Sequence, residues 1–384
     1  MTDPSGYRRA EIVVDLDAIR DNVERLRALA GVPVMVVVKA DGYGHGLVPS
    51  ARAARAGGAT WLGVADRGEA LALRAAGDTG RILAWLAVPG EDFTDLVAAD
   101  VDVAVYSVAQ LDEITAAARA VGRPARVHLK VDTGLSRGGA SREDWADLVA
   151  AARKAESAGE IAAVGVWSHF AASDEPEHPA NESQETAFRE AIALAEEAGL
   201  AIEVRHLANS AGALLRPSAR FDLVRFGIAS YGLSPAPDVV TPTDLGIVPA
   251  MTVRAHAALA KDIAAGDGVS YGHLYVADRA RHVALVPLGY ADGIPRHASG
   301  TAFVEVGGER GEVLGRICMD QFVVAAPESV QAGDEVVLFG TGAHGEPTAQ
   351  DWAEWCGTIS YEIVTRMGGL AGRAERRWTG DELR

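Results

Sequence analysis

The chain of 384 residues has few cysteines, a shortage of basic residues and no long apolar run. Cys318 and Cys356 are its only cysteines, too few for a disulfide framework and without the paired spacing of a zinc site. We therefore expect a reducing compartment and no metal centre. No stretch approaches the roughly 18 apolar residues of a membrane span, and the first twelve residues lack the apolar core of a signal peptide. These absences predict a cytoplasmic protein.

The charge balance narrows the range of partners. Acidic residues number 53 and basic residues 36, which gives a formal net charge of −17. Such a surface repels phosphate backbones and anionic lipid, so we expect neither nucleic acid nor membrane as a partner. Hydrophobic residues make up 48% and charged residues 23%, proportions that suit a large packed core and argue against disorder or a coiled coil. The length predicts two domains.

Between residues 33 and 227, short apolar runs alternate with Ala-rich segments of helical period, a pattern typical of βα units. The runs are almost unbroken in apolar character, which predicts burial on both faces of a parallel sheet. Eight such repeats favour a closed (β/α)8 barrel, with an open doubly wound sheet as the alternative. The predicted strands are Pro33–Lys39, Thr60–Ala65, Arg81–Leu86, Val101–Tyr106, Arg126–Asp132, Ile161–His169, Val204–Leu207 and Leu223–Gly227.

A short segment before these repeats falls outside the barrel count. Residues 11–15 predict an extra strand, and Asp17 is a candidate N-cap for a helix that runs to about Ala30. Because the eight repeats begin only at Pro33, we expect this first strand to lie outside the barrel.

After Pro249 the pattern changes to alternating polar and apolar residues with glycine-bearing turns, which is typical of an all-β domain. The join between the two patterns contains four prolines within residues 234–249. We therefore predict a barrel domain at residues 1–240 and a C-terminal β domain at residues 241–384. Strands of the second domain are predicted at residues 283–286, 302–306, 313–317 and 335–339.

Polar side chains stand where the predicted barrel strands end. The loops at that end of a barrel converge, so reactive residues should gather there while the rest of each strand packs. The residues in question are Lys39, Lys130, Asp132, Arg137, Ser168, His169, Asn209, Ser210 and Arg225.

Lys39 is the most suggestive of them because it closes a run of valines. Partial desolvation lowers the pKa of a lysine and makes a neutral amine available to attack a carbonyl, so Schiff-base chemistry is the natural use. The alternative is a lysine that pairs with a carboxylate or extends to solvent. Gly42, Gly44 and Gly46 favour the first interpretation, since glycines allow backbone amides to approach an anionic group closely.

Nine segments carry a stronger signal when they are taken in order. They read VVKADGYGHG at 37–46, KVDTG at 130–134, SHF at 168–170, LANSA at 207–211, RFGI at 225–228, VSYG at 269–272, PLGYADG at 287–293, RICMDQ at 316–321 and ISYE at 359–362. In these segments the chain resembles the alanine racemases, a fold type III family that uses pyridoxal 5′-phosphate. The segments keep the family's order and cover nearly the whole chain.

The resemblance implies two proton-transferring residues. Lys39 resembles the lysine that binds the cofactor as a Schiff base and then acts as a base on one face of the substrate Cα. Tyr271 resembles the second base, on the opposite face. A tyrosine ionises near pH 10 when nothing perturbs it, so we expect cationic neighbours, and His169 and Arg225 are placed to supply them. Arg225 resembles the residue that faces the pyridine nitrogen.

The resemblance also implies a binding role for several other residues. Arg137 resembles the arginine that contacts the cofactor phenolic oxygen and the substrate carboxylate, and Met319 closes the other side of the pocket. Lys130 matches a position that is carbamylated in many members and orients that arginine. The expected phosphate-binding residues are Tyr43, Ser210, Gly227, Ile228 and Tyr361, and the further cofactor contacts are His169 and Asn209.

A homodimer is implied, in which the β domain of one subunit completes the barrel site of the other. Tyr271, Tyr290, Met319 and Asp320 would then act across the interface, with Asp320 in a supporting role. Tyr290 and Tyr361 resemble residues that narrow the substrate entrance, although half-buried structural aromatics are the alternative. The implied activity is interconversion of L- and D-alanine, which would supply D-alanine for peptidoglycan.

Several other functions compete with this prediction. Gly268-Val269-Ser270-Tyr271-Gly272 fits the G-x-S-x-G elbow of a hydrolase, which requires a helix after the serine, whereas an alternating β pattern follows here. A pyridoxal phosphate carrier would resemble the barrel alone. A fold type III amino-acid decarboxylase keeps both domains but sets a carboxylate against the pyridine nitrogen. Such enzymes often place a cysteine in a loop of the partner subunit, so Cys318 leaves this alternative open. Racemases of serine or lysine are the nearest competitors.

Overall fold

A computed structural model describes residues 8–380 of the chain. Strand β1 (Ala10–Asp15) and helix α1 (Leu16–Ala30) come first. The side chain of Asp15 accepts hydrogen bonds from the backbone N–H groups of Asp17 and Ala18 and so caps α1. The predicted N-cap at Asp17 is therefore wrong by two residues, because the strand runs directly into the helix and leaves no linker between them.

Eight parallel strands form the first sheet, one at each run predicted from the sequence. Most of their residues are buried, as two-sided packing requires. They are β2 (Val34–Val37), β3 (Trp61–Val64), β4 (Arg81–Ala84), β5 (Asp102–Val105), β6 (Ala125–Lys130), β7 (Ile161–Trp167), β8 (Val204–His206) and β9 (Val224–Phe226).

This sheet curves into a nearly closed barrel. Strands β2 to β8 are neighbours in sequence order, and the last strand, β9, pairs in parallel with β2. Between β8 and β9 the link is looser, with backbone hydrogen bonds from Arg225 to Ala208 and from Asp222 to Arg205. The prediction of a (β/α)8 barrel is confirmed, and the open doubly wound sheet is wrong.

Helices follow the barrel strands and pack around them. Their apolar faces and the outer faces of the strands form one large buried cluster, while a smaller cluster around Met35, Trp61 and Trp167 fills the barrel interior. The helices are α2 (Lys39–Tyr43), α3 (Leu47–Ala56), α4 (Arg67–Ala75), α5 (Thr94–Ala98), α6 (Val108–Val121), α7 (Trp145–Ser157), α8 (Ala180–Glu197), α9 (Ser210–Leu215) and α10 (Pro242–Leu245).

The second domain is rich in strands, as the alternating pattern predicts, and it also carries two helices that this pattern did not indicate. The strands are β10 (Met251–His256), β11 (Leu259–Ile263), β12 (Gly268–Val269), β13 (Tyr275–Val276), β14 (Arg281–Val286), β15 (Phe303–Val306), β16 (Glu309–Leu314), β17 (Phe322–Ala325), β18 (Glu335–Phe339) and β19 (Glu375–Thr379). The helices are α11 (Ala349–Cys356) and α12 (Ser360–Thr365).

Strand β1 belongs to the sheet of the second domain, so its prediction outside the barrel is confirmed. It pairs antiparallel with β10 and parallel with β19. The first and last strands of the described chain are therefore neighbours. Of the helices within residues 8–380, none combines the length and the apolar character needed to cross a membrane.

Candidate active site

Lys39 lies at the carboxyl end of β2, directly after a strand whose four residues are all buried. Its Nζ lies 5.9 Å from the ring centre of Trp85. Burial lowers the pKa of Lys39 and the charge of Arg137 lowers it further, while Glu69 opposes both. Neutral amine is therefore more available than in a solvated lysine, as the sequence predicts.

Segment α2, the loop that begins at Lys39, is a left-handed turn and not a regular α-helix, with φ 53° at Ala40, 53° at Asp41 and 54° at Tyr43. Residues with a Cβ rarely adopt this conformation, so other contacts must hold the loop. Glu69 accepts a hydrogen bond of 2.6 Å from the backbone N–H of Ala40. Asp41 accepts one of 2.7 Å from the N–H of Leu47.

The last strand of the described chain clamps the same loop. Arg376 of β19 forms an ion pair with Asp41, and the indole N–H of Trp378 donates to the carbonyl of His45 at 2.7 Å. A Cβ on Gly46 would lie 2.9 Å from the Trp378 ring, and one on Gly44 only 2.3 Å from a backbone oxygen of α12. Gly44 and Gly46 let the loop pack against the second domain, and not against an anion as predicted.

Arg225 is the most deeply buried cation of the site, with 3% of its surface exposed. Its Nη1 donates to Nδ1 and to the carbonyl of His206, both at 3.0 Å. Its Nη2 donates to the carbonyls of Ser168 and Leu207 and to Nδ1 of His169. Among the hydrogen bonds and ion pairs found within residues 8–380, none uses its Nε and none joins it to a carboxylate. One donor therefore remains for a ligand.

His169 stands beside Arg225, as predicted, but with a different charge. Burial and then the positive charge of Arg225 lower the pKa of His169 well below its ordinary value. The imidazole is therefore neutral near pH 7, and its Nδ1 accepts a hydrogen bond of 3.1 Å from Arg225. The expectation that His169 supplies positive charge is wrong, because burial and neighbouring cations outweigh its basicity.

The predicted phosphate-binding residues lie close together. The hydroxyl of Ser210 accepts a 2.9 Å hydrogen bond from the backbone N–H of Gly227. A Cβ on Gly227 would lie 2.4 Å from the hydroxyl oxygen of Tyr43, so only glycine fits there. Tyr361, at the start of α12, has its ring centre 6.2 Å from that of Tyr43. Ile228 is buried at the start of the following 3-10 helix.

Asn209 acts as a structural cap next to Ser210. It is the N-cap of α9, and its Oδ1 accepts hydrogen bonds from the N–H of Gly212 at 2.9 Å and from the hydroxyl of Ser173 at 2.8 Å. Capping fixes the start of the helix that begins with Ser210. The geometry therefore gives Asn209 a role in orienting Ser210.

Lys130 ends β6 and lies between two aromatic rings. Its Nζ is 4.6 Å from the ring centre of Trp167 and 5.5 Å from that of Tyr106. Burial, with the charges of Arg225 and Arg137, lowers the pKa of Lys130 to about 8. The ion pairs found within residues 8–380 include none made by Lys130. Arg137 is exposed in the single chain, close enough for its charge to act on both lysines.

The predicted residues of the second domain lie at its surface. Tyr271 is 71% exposed, and Met319 and Tyr290 are also exposed. Asp320 forms a 2.6 Å ion pair with Arg373, which also holds the buried Asp292. Within residues 8–380, no hydrogen bond or ring contact joins Tyr271 to the barrel residues described above. One chain therefore brings together the barrel half of the predicted site and leaves Tyr271 apart from it.

Ser270 shows why the hydrolase elbow is wrong. It has φ 62°, but a short 3-10 helix and strand β13 follow it in place of the required helix. Its hydroxyl donates to the carbonyl of Arg316 at 2.7 Å and lies 3.3 Å from Cys318 Sγ.

In the described part of the chain, no group of three or more His, Cys, Asp or Glu side chains could hold a metal ion.

Sequence reasoning missed three polar residues inside the barrel: Asp102, His128 and His206, all fully buried. The available signal was the period of two along a strand, since His128 and Lys130 must point to the same face of β6. A histidine on the face of β6 that also carries Lys130 therefore predicts a further member of the site.

Comparison with known proteins identifies the family. The model of the alanine racemase N-terminal domain matches residues 14–235, and that of the C-terminal domain matches residues 250–377. The chain belongs to the alanine racemase family. The alanine racemase of Salinispora tropica is 54% identical over 374 residues, which cover 97% of this chain and 99% of that protein. Membership of the alanine racemase family makes the chain an isomerase.

Solved alanine racemases share the fold over the full length. That of Streptomyces coelicolor A3(2) has a TM-score of 0.96 at 52% identity and covers 99% of this chain and 100% of its own. That of Bacillus anthracis, solved with bound L-Ala-P, has a TM-score of 0.88 at 35% identity and covers 98% of this chain and 96% of its own. The likeness spans the barrel and the β-rich domain together.

Proposed function

We propose that the protein interconverts L- and D-alanine with pyridoxal 5′-phosphate by a two-base mechanism, with Lys39 on one face of the substrate and Tyr271 of the partner subunit on the other. The observation that carries the proposal is the presence in one site of a desolvated Lys39 and a buried Arg225 whose Nε–H is free to donate. Membership of the family supports the same reaction.

The residues present fit the cofactor. The hydroxyls of Tyr43 and Ser210 and the backbone of Gly227 and Ile228 make a cradle that a Cβ on Gly227 would fill. Preorganised neutral donors of this kind hold a phosphate dianion well. Arg225 Nε is the remaining donor for the ring nitrogen, and Lys39 lies within a partly apolar pocket beside Trp85. When bound, pyridoxal phosphate withdraws electrons from the substrate Cα and so acidifies its proton.

Each residue of the chain then has a physical task. Lys39 Nζ, kept partly neutral, removes or returns the Cα proton on its own face. The Tyr271 hydroxyl does the same on the opposite face, which inversion requires. Arg225 donates a hydrogen bond without transferring its proton, because a guanidinium is a very weak acid. Because it gives up no proton, Arg225 would leave the cofactor a weaker acceptor of electrons, which would favour return of the proton to Cα.

Substrate binding would use residues from both domains. Arg137 is placed to bind the carboxylate of alanine and the phenolic oxygen of the cofactor, with Met319 opposite. Lys130, neutral in part near pH 8, is suited to react with carbon dioxide, and the resulting carbamate would orient Arg137. Tyr290 and Tyr361 would narrow the entrance and favour a small side chain.

We further propose a homodimer in which the domain of residues 241–384 completes the site of the partner's barrel domain, residues 1–240. The support is the surface position of Tyr271, Leu274 and Val276, which are 71%, 64% and 54% exposed in one chain. Apolar side chains so close together are costly to leave in water. The product would serve peptidoglycan synthesis, and we propose a cytoplasmic location.

The first test is chiral analysis after the purified protein, loaded with pyridoxal phosphate, is incubated separately with L-alanine, L-serine and L-lysine. D-alanine as the dominant product would support the proposal. A dominant D-serine or D-lysine would assign a racemase of another amino acid. Release of carbon dioxide without any D-isomer would point to a decarboxylase. Lys39→Ala, treated in parallel, should form no D-isomer.

A further inference from the structure

Four buried polar side chains form a continuous hydrogen-bonded chain through the barrel interior. Arg225 Nη1 lies 3.0 Å from His206 Nδ1, and His206 Nε2 lies 2.9 Å from His128 Nδ1. His128 Nε2 lies 3.1 Å from Asp102 Oδ2. Asp102, His128 and His206 are each 0% exposed. The chain crosses from the carboxyl end of the barrel, where Arg225 lies, to Asp102 at the first residue of β5.

The two ends of this chain dictate the tautomers between them. A guanidinium only donates, so His206 Nδ1 must accept and the proton of His206 lies on Nε2. His128 Nδ1 must then accept, and the proton of His128 lies on Nε2. That proton points at Asp102, which as a carboxylate only accepts. All three hydrogen bonds therefore run in the same direction, from Arg225 to Asp102.

Surrounding groups isolate the chain and anchor its acidic end. The ring of Trp167 stacks on His206 with 8° between the planes, and Trp61 meets His128 edge-on. Burial would raise the pKa of Asp102, but hydrogen bonding from His128 and the ion pair with Arg81 lower it to about 2. Arg81 Nη2 lies 2.7 Å from Asp102 Oδ2, and Arg126 binds Oδ1. Asp102 is thus a fixed acceptor at neutral pH.

We infer that Asp102 is a positioning residue for Arg225: it fixes the tautomers of His128 and His206 so that an imidazole nitrogen always accepts from the guanidinium. This rests on the proposed function, in which Arg225 Nε faces the cofactor. A buried guanidinium that lacks a carboxylate partner needs acceptors in fixed positions. The opposite end of the barrel therefore takes part in shaping the active site.

Asp102→Asn tests the inference because it changes the acceptor with little change in shape. Arg126 would hold the carboxamide oxygen at the Oδ1 position, so the NH₂ group would take the Oδ2 position and face His128 Nε2. Arg81, which pairs with Oδ2 in the wild type and is 30% exposed, would keep its second partner, Glu203. The tautomers would then reverse, and a His206 N–H would face the N–H of Arg225. The matched control is Asp100→Asn. It removes a carboxylate that also pairs with Arg126 but is half exposed and does not belong to the hydrogen-bonded chain from Arg225 to Asp102.

The direct measurement is ¹⁵N NMR of histidine-labelled full-length protein, because protonated and unprotonated ring nitrogens resonate far apart. The wild type and Asp100→Asn should show His128 and His206 protonated on Nε2, assigned with His206→Gln and His128→Gln. Asp102→Asn should show the reversed tautomers. Protonation of Nδ1 in either wild-type histidine would overturn the inference, even if Asp102→Asn does not fold. Unchanged tautomers in a folded Asp102→Asn would overturn it as well.

Kinetics and absorption of the loaded enzyme supply the second readout. Asp102→Asn should lower kcat by about tenfold and shift the absorption band of the bound cofactor, while Asp100→Asn stays within about twofold of the wild type. Equal losses in both variants would overturn the positioning role. If the wild type binds no pyridoxal phosphate, the proposed function fails, and the histidine spectrum still decides the direction of the hydrogen bonds.

Discussion

The two halves of the candidate site differ in how far one chain completes them. In the barrel, Arg225 is 3% exposed and both of its terminal nitrogens have acceptors, and the Lys39 loop is held by contacts from three elements. In the second domain, Tyr271 is 71% exposed and makes none of these contacts. The barrel half is thus held in place by contacts within the chain, whereas Tyr271 lies at the surface without such contacts.

This difference follows from what each half has to do. A buried cation must have its acceptors fixed, because an unsatisfied charge inside a barrel is costly. In the mechanism that we propose, the base on the opposite face of the substrate would come from outside that barrel. Substitutions in the barrel half and substitutions around Tyr271 should therefore impair the reaction in different ways.

The largest effect is expected from Lys39→Ala. Without its amine the barrel half has no covalent attachment for the cofactor, and racemisation should fall by about 10,000-fold. Borohydride reduction followed by mass spectrometry should find no fixed cofactor in this variant. Lys154→Ala, on an exposed position of α7, is the control and should retain it. Cofactor fixed to another lysine of Lys39→Ala would remove Lys39 from its proposed place.

Tyr271→Phe breaks only the second half. Removal of the Cα proton from L-alanine should fall by about 100- to 10,000-fold, while exchange from D-alanine, which uses Lys39, should persist. The two rates are measured separately as deuterium uptake from heavy water. Equal loss for both enantiomers would contradict the assignment of one base to each face.

Leu274→Glu tests the surface that we propose the partner covers. A charge placed beside Tyr271 should raise the dimer dissociation constant by about tenfold or more, measured by sedimentation velocity. Val239→Glu places the same charge on another exposed apolar residue, in the join between the domains, and should leave the dimer intact. A Leu274→Glu dimer as tight as the wild type would show that this surface stays open to solvent.

The smallest effect is expected at Lys130, within the barrel half. Burial lowers its pKa to about 8, so the fraction of neutral amine that reacts with carbon dioxide rises with pH through that value. Native mass spectrometry should find a mass increase of one carbon dioxide, greater above pH 8 than below it and absent in Lys130→Ala. That variant should lose about tenfold in kcat/KM. An unmodified wild-type mass at every pH would rule out carbamylation.

Much of the fold could be predicted because it depends on local patterns. Each of the eight barrel strands carries its own apolar run. Strand β1 precedes these runs in the sequence, and in the structure it belongs to the sheet of the second domain. The cap of α1 was misplaced by two residues, and α11 and α12 were missed, because caps and short helices have weak signals.

The candidate site likewise has a part that local sequence patterns predict and a part that depends on distant contacts. Lys39, Arg225 and Ser210 could be located because each lies in or just after the last residues of a predicted barrel strand. The neutral state of His169 and the packing role of Gly44 and Gly46 could not be predicted from the sequence, because both depend on contacts with residues distant in sequence.

By itself the sequence determined the barrel, the second β-rich domain, the family and the position of Lys39 at the end of the first barrel strand. Only the tertiary structure decided that Asp102 and Arg225, 123 positions apart, are connected through His128 and His206. It also decided that Arg225 lies buried while Tyr271 lies at the surface. The physical reason is that periodicity fixes which face of a strand a side chain takes, whereas barrel closure fixes which side chains meet inside it.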